Sequence, residues 1–141
     1  MEDLTPKKTI IIDDISNIVI KKVYKTLEGG RALDLTQWYA TNGEGAPVPA
    51  GWLIVATKSK TFVPCPLSGS NFAVPQDGEV VGVMMDTITA PRQAAAIMTA
   101  GVVNPKTCKH EWTVTDKALV KTAGLLITFE TDEDKFPSGV V

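Results

Sequence analysis

The sequence contains few of the residues on which common catalytic and metal-binding sites depend. It has one histidine, His110, and two cysteines, Cys65 and Cys108, among 141 residues. A structural zinc site requires four ligands, usually in two close pairs, so His110 and Cys108 would have to recruit scattered carboxylates. A Cys108–His110 nucleophile pair requires contact between the two side chains, and we expect a solvated histidine in a turn instead. The sequence therefore predicts no enzyme, no metal site and no cofactor.

Other catalytic motifs are also incomplete. The Gly-Glu-Gly run at residues 43–45 lacks the third glycine of a phosphate-binding loop and lies among prolines. General acid–base catalysis needs a carboxyl group whose pKa is raised by burial or by a like charge. The carboxylate clusters at residues 13–14 and 132–134 lie in polar or terminal surroundings, so we expect them to be solvated.

Charge and hydropathy exclude two classes of partner. The net charge of -2 provides no basic surface for nucleic acid. The longest apolar stretches are broken well short of the ~20 residues that a membrane span requires. Residues 1–8 contain no apolar signal segment after a basic start, so export by that route is not expected. In a reducing cytoplasm, Cys65 and Cys108 are expected to be free, buried thiols.

The remaining composition is that of one soluble domain with an arm. Hydrophobic residues make up 44% of the chain and charged residues 21%, which is enough to form a core. Residues 1–9 are polar and predict an N-terminal arm, and residues 10–141 predict a single β-rich domain. Residues 10–23 are rich in isoleucine and valine; their spacing permits one helix face, but the β-branched density favours a strand.

Short apolar runs with glycine and proline between them predict an all-β sandwich or barrel. Gly29-Gly30 separates two such runs and predicts a hairpin. Residues 40–51 predict a loop, and Asp77-Gly78 predicts a turn. Further strands are expected at residues 52–56, 62–63, 80–85 and 125–129.

One short helix is predicted near the C-terminus. Thr115 is expected to be its N-cap, and Gly124 suits the position after its C-cap. Residues 92–101 are ambiguous, because three alanines between Pro91 and Gly101 suit a helix. The apolar residues on both sides of Gly101 suit a strand with a bulge or a close backbone approach equally well.

The aromatic residues provide the remaining candidates for contacts. Trp52 is followed by Leu53 and Ile54, and we expect it to belong to the core. Trp38 and Tyr39 precede the predicted loop, and they are the better candidates for surface recognition.

Three segments in the middle of the chain resemble the head-decoration and head-fibre proteins of tailed phages. The first is Pro49-Ala50-Gly51, the second is DGEVVGVMMD at residues 77–86, and the third is AAAIMTAGVVN at residues 94–104. In that family a P-A-G-x entry precedes a G-V-hydrophobic-hydrophobic-D strand and an A-A-V-hydrophobic-x-x-G-x-V-N segment. The Gly-Gly to Leu-Asp stretch at residues 29–34 and the ending at residues 118–129 are similar to the family more loosely.

The resemblance implies a structural virion protein on the capsid exterior. Its expected form is a β-rich homotrimer, made in the host bacterial cytoplasm, with the major capsid protein as its partner. It would either clamp coat subunits or carry a further fibre protein, and residues 94–103 would be strand-like with a kink at Gly101. The polar arm would become ordered on the capsid, with contacts expected from these residues: Leu4, Pro6, Lys7, Lys8 and Ile10.

The alternative function is a head fibre or adhesin that binds host-surface glycans. Its site would comprise Trp38, Tyr39 and the loop at residues 40–51, because exposed aromatic side chains stack on sugars and anchor interfaces.

Overall fold

The computed structural model describes residues 19–90 and 92–130. The predicted arm, with Leu4, Pro6, Lys7, Lys8 and Ile10, lies outside these residues. Within them the chain forms an all-β fold with a short helix near its C-terminal end, as predicted. The strands are β1 (Ile20–Thr26), β2 (Arg31–Ala32), β3 (Leu53–Ala56), β4 (Phe62–Pro64), β5 (Leu67–Ser68), β6 (Asn71–Phe72), β7 (Glu79–Met84), β8 (Ala94–Ala95), β9 (Ile97–Val103) and β10 (Leu126–Phe129).

Most of these strands belong to one six-stranded sheet. Its order is β1-β9-β7-β3-β4, with β10 added beside β9, and β2-β8 and β5-β6 form two small ribbons. The pairs along this path are antiparallel, whereas β10 runs parallel to β9. The strand β9 is therefore central: it pairs with β1 along one side, and with β7 and then β10 along the other.

The third motif segment is a strand, which resolves the ambiguity at residues 92–101. The side chains of Ile97 and Met98 are fully buried, and Val103 is equally inaccessible. Gly101 lies where a β-carbon would come within 2.4 Å of the Lys22 carbonyl oxygen, so the predicted close backbone approach is confirmed.

Gly29 and Gly30 form a turn, but the hairpin predicted there is wrong. Both residues have positive φ, +76° and +66°, which glycine adopts without steric cost. The flanking strands do not pair with each other, because β1 pairs with β9 and β2 pairs with β8. The two glycines interrupt one long antiparallel pairing instead, and a β-carbon on Gly30 would meet the Ala95 carbonyl oxygen at 2.8 Å.

The helix near the C-terminal end, α2 (Val114–Thr122), begins two residues before the predicted start. Its N-cap is Thr113, not Thr115, because Asp116 completes a capping box. The Asp116 N–H donates to Thr113 Oγ1, and the Thr113 N–H donates to Asp116 Oδ2, both at 3.1 Å. Gly124 has φ +79° and follows the C-cap, as predicted.

A second helix, α1 (Thr36–Asn42), occupies residues partly assigned to a loop. Its N-cap, Leu35, makes no side-chain hydrogen bond, and its first turn has no acidic residue. Local signals for this helix are therefore weak. Trp38 and Tyr39 pack against the core, and we infer that this packing stabilises the helix.

The core contains a continuous row of aromatic rings. Trp38, Trp52, Phe72, Trp112 and Phe129 follow one another with centroid separations of 4.9, 5.2, 5.1 and 4.8 Å. Trp52 is 6% exposed and donates its indole N–H to the Cys65 carbonyl oxygen, so its predicted core position is confirmed. This row connects the region around α1 to the region around α2 and β10.

Candidate functional site

Trp38 and Tyr39 are neighbours in α1, but Tyr39 does not line the surface groove that Trp38 borders. This groove has a volume of about 530 Å³. Trp38 is half-buried: its indole N–H donates to the Ala46 carbonyl oxygen at 3.1 Å, and its ring packs at 79° against Trp52. Tyr39 packs against the core and is not part of the groove lining. The structure thus separates the two residues that the sequence grouped together.

One wall of the groove is polar and comes from the segment around α1 and from the end of β3. Its side chains carry hydroxyl, amide or carboxylate groups: Asp34, Thr36, Gln37, Thr41, Asn42 and Thr57. Asp34 is placed there because its N–H donates to the Phe62 carbonyl oxygen of β4 at 2.8 Å. The Asn42 side-chain amide donates to the Trp38 carbonyl oxygen at 3.1 Å, which fixes its orientation.

A second part of the lining, the apolar wall, comes from β4, the segment after it and the loop before β7. It is formed by Val63, Pro64, Pro66, Leu67 and Pro75. Leu67 is 44% exposed, and such exposure of a large apolar side chain beside a groove is typical of a binding surface. The groove lining therefore combines polar and apolar side chains with the rings of Trp38 and Trp52.

Among the described residues that line the groove, Asp34 is the one carboxylate. The Thr36 N–H donates to Asp34 Oδ1 at 3.1 Å. This backbone hydrogen bond, and a second from the Thr36 side chain, hold the pKa of the Asp34 carboxyl below its usual value. Asp34 is exposed and ionised at neutral pH, so it offers a fixed acceptor for hydroxyl or amide hydrogens.

His110 is not the solvated turn residue that the sequence predicted. Its side chain is only 12% exposed, and its Nε2 lies 2.7 Å from Oδ2 of the fully buried Asp116. The ring also packs on Phe72 with a centroid separation of 4.4 Å. Asp116 is the reason for the difference, because a buried carboxylate requires hydrogen-bond donors and His110 supplies one.

The His110–Asp116 pair has a structural role in holding three segments together. Asp116 Oδ1 accepts from the Phe72 N–H at 2.8 Å, which ties β6 to the start of α2. Ser70 lines a small cleft beside His110, but no hydrogen bond joins these two described residues. The pair therefore connects β6, the segment before α2, and α2 itself.

Cys65 and Cys108 are free and buried, as predicted. Burial raises the pKa of each thiol from 9.0 to about 12. The Cys108 thiol donates to the Asn104 carbonyl oxygen at 3.4 Å. Neither sulfur has the lowered pKa that an activated nucleophile requires.

We expect both thiols to resist labelling in the folded protein. A thiol-exchange reagent at pH 8 should label neither cysteine under native conditions and both in guanidinium chloride, as counted by mass spectrometry. Because folding raises both pKa values, stability from the protonated thiols is complete below pH 9 and is lost as the pH rises towards 12. Rapid labelling of either thiol in the folded protein would contradict the assignment.

No group of three or more histidine, cysteine, aspartate or glutamate side chains in residues 19–90 and 92–130 is arranged to hold a metal ion. No helix in the same ranges is long and apolar enough to cross a membrane.

No family model, curated protein or solved structure matches this chain. Trp38 was identifiable from the sequence as a candidate for recognition, whereas Asp34 and the apolar wall were not. The Asp-x-Thr spacing at residues 34–36 was the one local signal available, because aspartate commonly accepts from the N–H two residues later.

Proposed function

We propose that this chain is a structural virion protein that binds the outer surface of a tailed-phage capsid. In this proposal it acts without enzymatic activity, assembles as a homotrimer, and uses its N-terminal arm to contact the major capsid protein. The resemblance of three segments to head-decoration and head-fibre proteins is the origin of the proposal. The observation that best supports it is the position of those segments in the fold.

The three segments are separate in sequence and adjacent in the fold. The Gly51 N–H donates to the Met84 carbonyl oxygen, and the Met84 N–H donates to the Trp52 carbonyl oxygen, both at 2.9 Å. Val83 in turn pairs with Met98 across β7 and β9. The P-A-G entry, the G-V strand and the A-A strand therefore form one contiguous unit.

Two glycines of these segments, Gly51 and Gly82, lie where a side chain would not fit. A β-carbon on Gly82 would lie 2.6 Å from the Met98 carbonyl oxygen, and one on Gly51 would lie 2.6 Å from Cys108 Sγ. The spacing of the motif thus corresponds to strand packing in this chain. This correspondence supports a shared domain type more strongly than a chance similarity of common residues would.

The test is direct binding to capsids. Purified protein is mixed with phage heads that lack it, the heads are pelleted, and bound copies per head are counted by quantitative mass spectrometry. We expect saturable binding with three copies at each symmetry-related site. A folded, soluble protein that does not bind heads would contradict the proposal.

The contribution of the arm is tested separately by deleting residues 1–9. We expect occupancy on heads to fall, because an arm that becomes ordered on binding contributes contacts only in the bound state. The same deletion should leave the melting temperature of the domain nearly unchanged. Unchanged occupancy would remove the arm from the proposal and leave capsid attachment through residues 10–141.

A second candidate function is a head-fibre or adhesin module that binds host-surface glycans. The observation that favours it is the groove beside Trp38, where an aromatic ring, a fixed carboxylate and side-chain amides lie together. Tyr39 contributes to the core instead of the groove, so the candidate glycan site is centred on Trp38.

A further inference from the structure

We propose that the groove beside Trp38 binds a neutral saccharide. One face of a sugar ring packs against Trp38, and its hydroxyl groups hydrogen-bond to Asp34 and Gln37. This inference rests on the second candidate function and specifies its site and ligand class. Capsid attachment is independent of it.

The groove lining offers partners for both the apolar and the polar parts of a sugar ring. Pyranose rings have an apolar C–H face and a periphery of hydroxyl groups. The apolar wall at Pro64, Pro66 and Leu67 suits the C–H face of the ring, whereas the polar wall at Asp34 and Gln37 suits its hydroxyl groups. Small-molecule sites commonly combine an apolar lining with a few placed polar groups, as this groove does.

The charge of the lining selects against acidic ligands. Among the described residues that line the groove, none is a lysine or an arginine, and Asp34 is ionised. Lys58, which follows Thr57 of the polar wall, is directed to Asp77 at 3.7 Å. A phosphate, sulfate or carboxylate in the groove would face the Asp34 charge without a compensating cation. The charge of the lining therefore disfavours acidic ligands, and the hydroxyl and amide groups of the polar wall favour a polyol as the ligand.

The main contact groups are already fixed before a ligand arrives. Trp38 is held by Ala46 and by the ring of Trp52, and Asp34 is held by Thr36. Binding loses less conformational entropy when side chains are ordered in advance. This arrangement is more favourable for a weakly binding, rigid ligand than an exposed mobile tryptophan would be.

A proline-rich peptide is the competing occupant. Grooves that recognise such peptides present several aromatic rings to receive the prolines. Here the groove itself supplies Pro64, Pro66 and Pro75, and Trp38 is its one half-exposed aromatic side chain among the described residues. The polar wall, with its hydroxyl and amide groups, fits a sugar better.

The experiment is saturation-transfer NMR with the full-length protein and defined oligosaccharides. The neutral panel contains oligomers of glucose, galactose, mannose and N-acetylglucosamine, and the acidic panel contains sialyl and glucuronyl oligomers. A proline-rich peptide is included as a third arm. We expect saturation transfer to at least one neutral oligomer and none to the acidic oligomers or the peptide.

The variants Asp34→Asn and Gln37→Ala test the site, because both side chains are exposed and neither supports the core. Each should weaken binding of the neutral oligomer roughly tenfold, the usual effect of losing a hydrogen bond to a charged or well-placed group. The matched controls are Asp86→Asn and Gln93→Ala, exposed residues outside the groove, which should bind as the parent does. Trp38→Ala should abolish binding, and its melting temperature must be measured alongside because Trp38 packs on Trp52.

Several results would overturn the inference. These are transfer to no neutral oligomer, transfer only to acidic oligomers or the peptide, and equal binding by Asp34→Asn, Gln37→Ala and their controls. The head-pelleting assay contains no sugar, so a protein that binds heads but no oligomer loses only this inference. Oligomer binding without head binding would instead leave the glycan-binding function in place and remove capsid attachment.

Discussion

Replacing Asp116 with alanine is expected to destabilise the protein by about 3–5 kcal/mol, the range for removing one partner from a buried charged network. The Asp116 side chain is fully buried, and its two oxygens accept from three groups. Phe72 N–H donates to Oδ1 at 2.8 Å, while His110 Nε2 and Thr113 N–H lie 2.7 and 3.1 Å from Oδ2. One substitution therefore removes the acceptor for all three.

The loss is large because the orphaned groups cannot easily reach water. An unsatisfied buried donor costs about 1–3 kcal/mol. The Phe72 N–H is in β6, the Phe72 ring belongs to the aromatic row, and the His110 ring packs against both Phe72 and Trp52. The Thr113 bond is also one half of the capping box of α2, whereas the other half, from the backbone N–H at position 116 to Thr113 Oγ1, remains.

Urea unfolding of Asp116→Ala and of a matched control measures this effect. The control is Asp77→Ala, because Asp77 is 65% exposed and forms only a surface ion pair with Lys58. Surface pairs contribute about 0–1 kcal/mol, so the control should unfold nearly as the parent does. Equal unfolding midpoints for the two variants would show that the Asp116 cluster does not stabilise the fold.

Gly82→Ala is expected to be similarly disruptive, for a steric reason. The new β-carbon would lie 2.4 Å from Ile97 Cγ2 and 2.6 Å from the Met98 carbonyl oxygen. The latter atom belongs to the backbone of β9, so relief of the clash requires β7 and β9 to separate. Overpacking a core costs about 1–3 kcal/mol, and a backbone clash between paired central strands should reach or exceed the upper end.

The matched control for Gly82→Ala is Gly45→Ala. Gly45 has φ +78° and open space around it, so this substitution introduces backbone strain without a clash. The expected cost is about 1–2 kcal/mol. Thermal unfolding followed by circular dichroism distinguishes the two, and soluble yield provides a second measurement if Gly82→Ala does not fold. A Gly82 variant as stable as the Gly45 variant would mean that β7 and β9 are less closely packed than described.

The same glycine connects the stability predictions to the proposed function. Gly82 belongs to the G-V segment on which the resemblance to capsid-bound proteins depends, and it lies at the junction of β7 with β9. If the motif specifies this junction, Gly82→Ala should abolish head binding only to the extent that the substitution unfolds the domain. The groove variants Asp34→Asn and Gln37→Ala should bind heads normally.

The sequence by itself determined the features that depend on near neighbours. Short apolar runs between glycines and prolines specify strands because a pleated, half-buried segment favours β-branched residues and ends where the chain must turn. Gly124 specifies the end of α2 because glycine adopts positive φ without a steric cost. The low charge of the residues around Trp52 was likewise sufficient to predict its burial.

Only the tertiary structure decided which distant groups meet. Gly29-Gly30 permits a tight turn, but whether β1 pairs with β2 or with β9 depends on contacts some 75 residues away in sequence. The helix α1 has weak local signals and depends on the packing of Trp38 and Tyr39 against the core. The prediction that His110 is solvated was wrong because its partner, Asp116, becomes a fully buried acceptor only when α2 and β6 come together. The groove also depends on segments that are distant in sequence, since its polar wall comes mainly from residues 34–42 and its apolar wall from residues 63–75. Backbone conformation is set largely by adjacent residues, whereas burial and strand partnership are set by the whole chain.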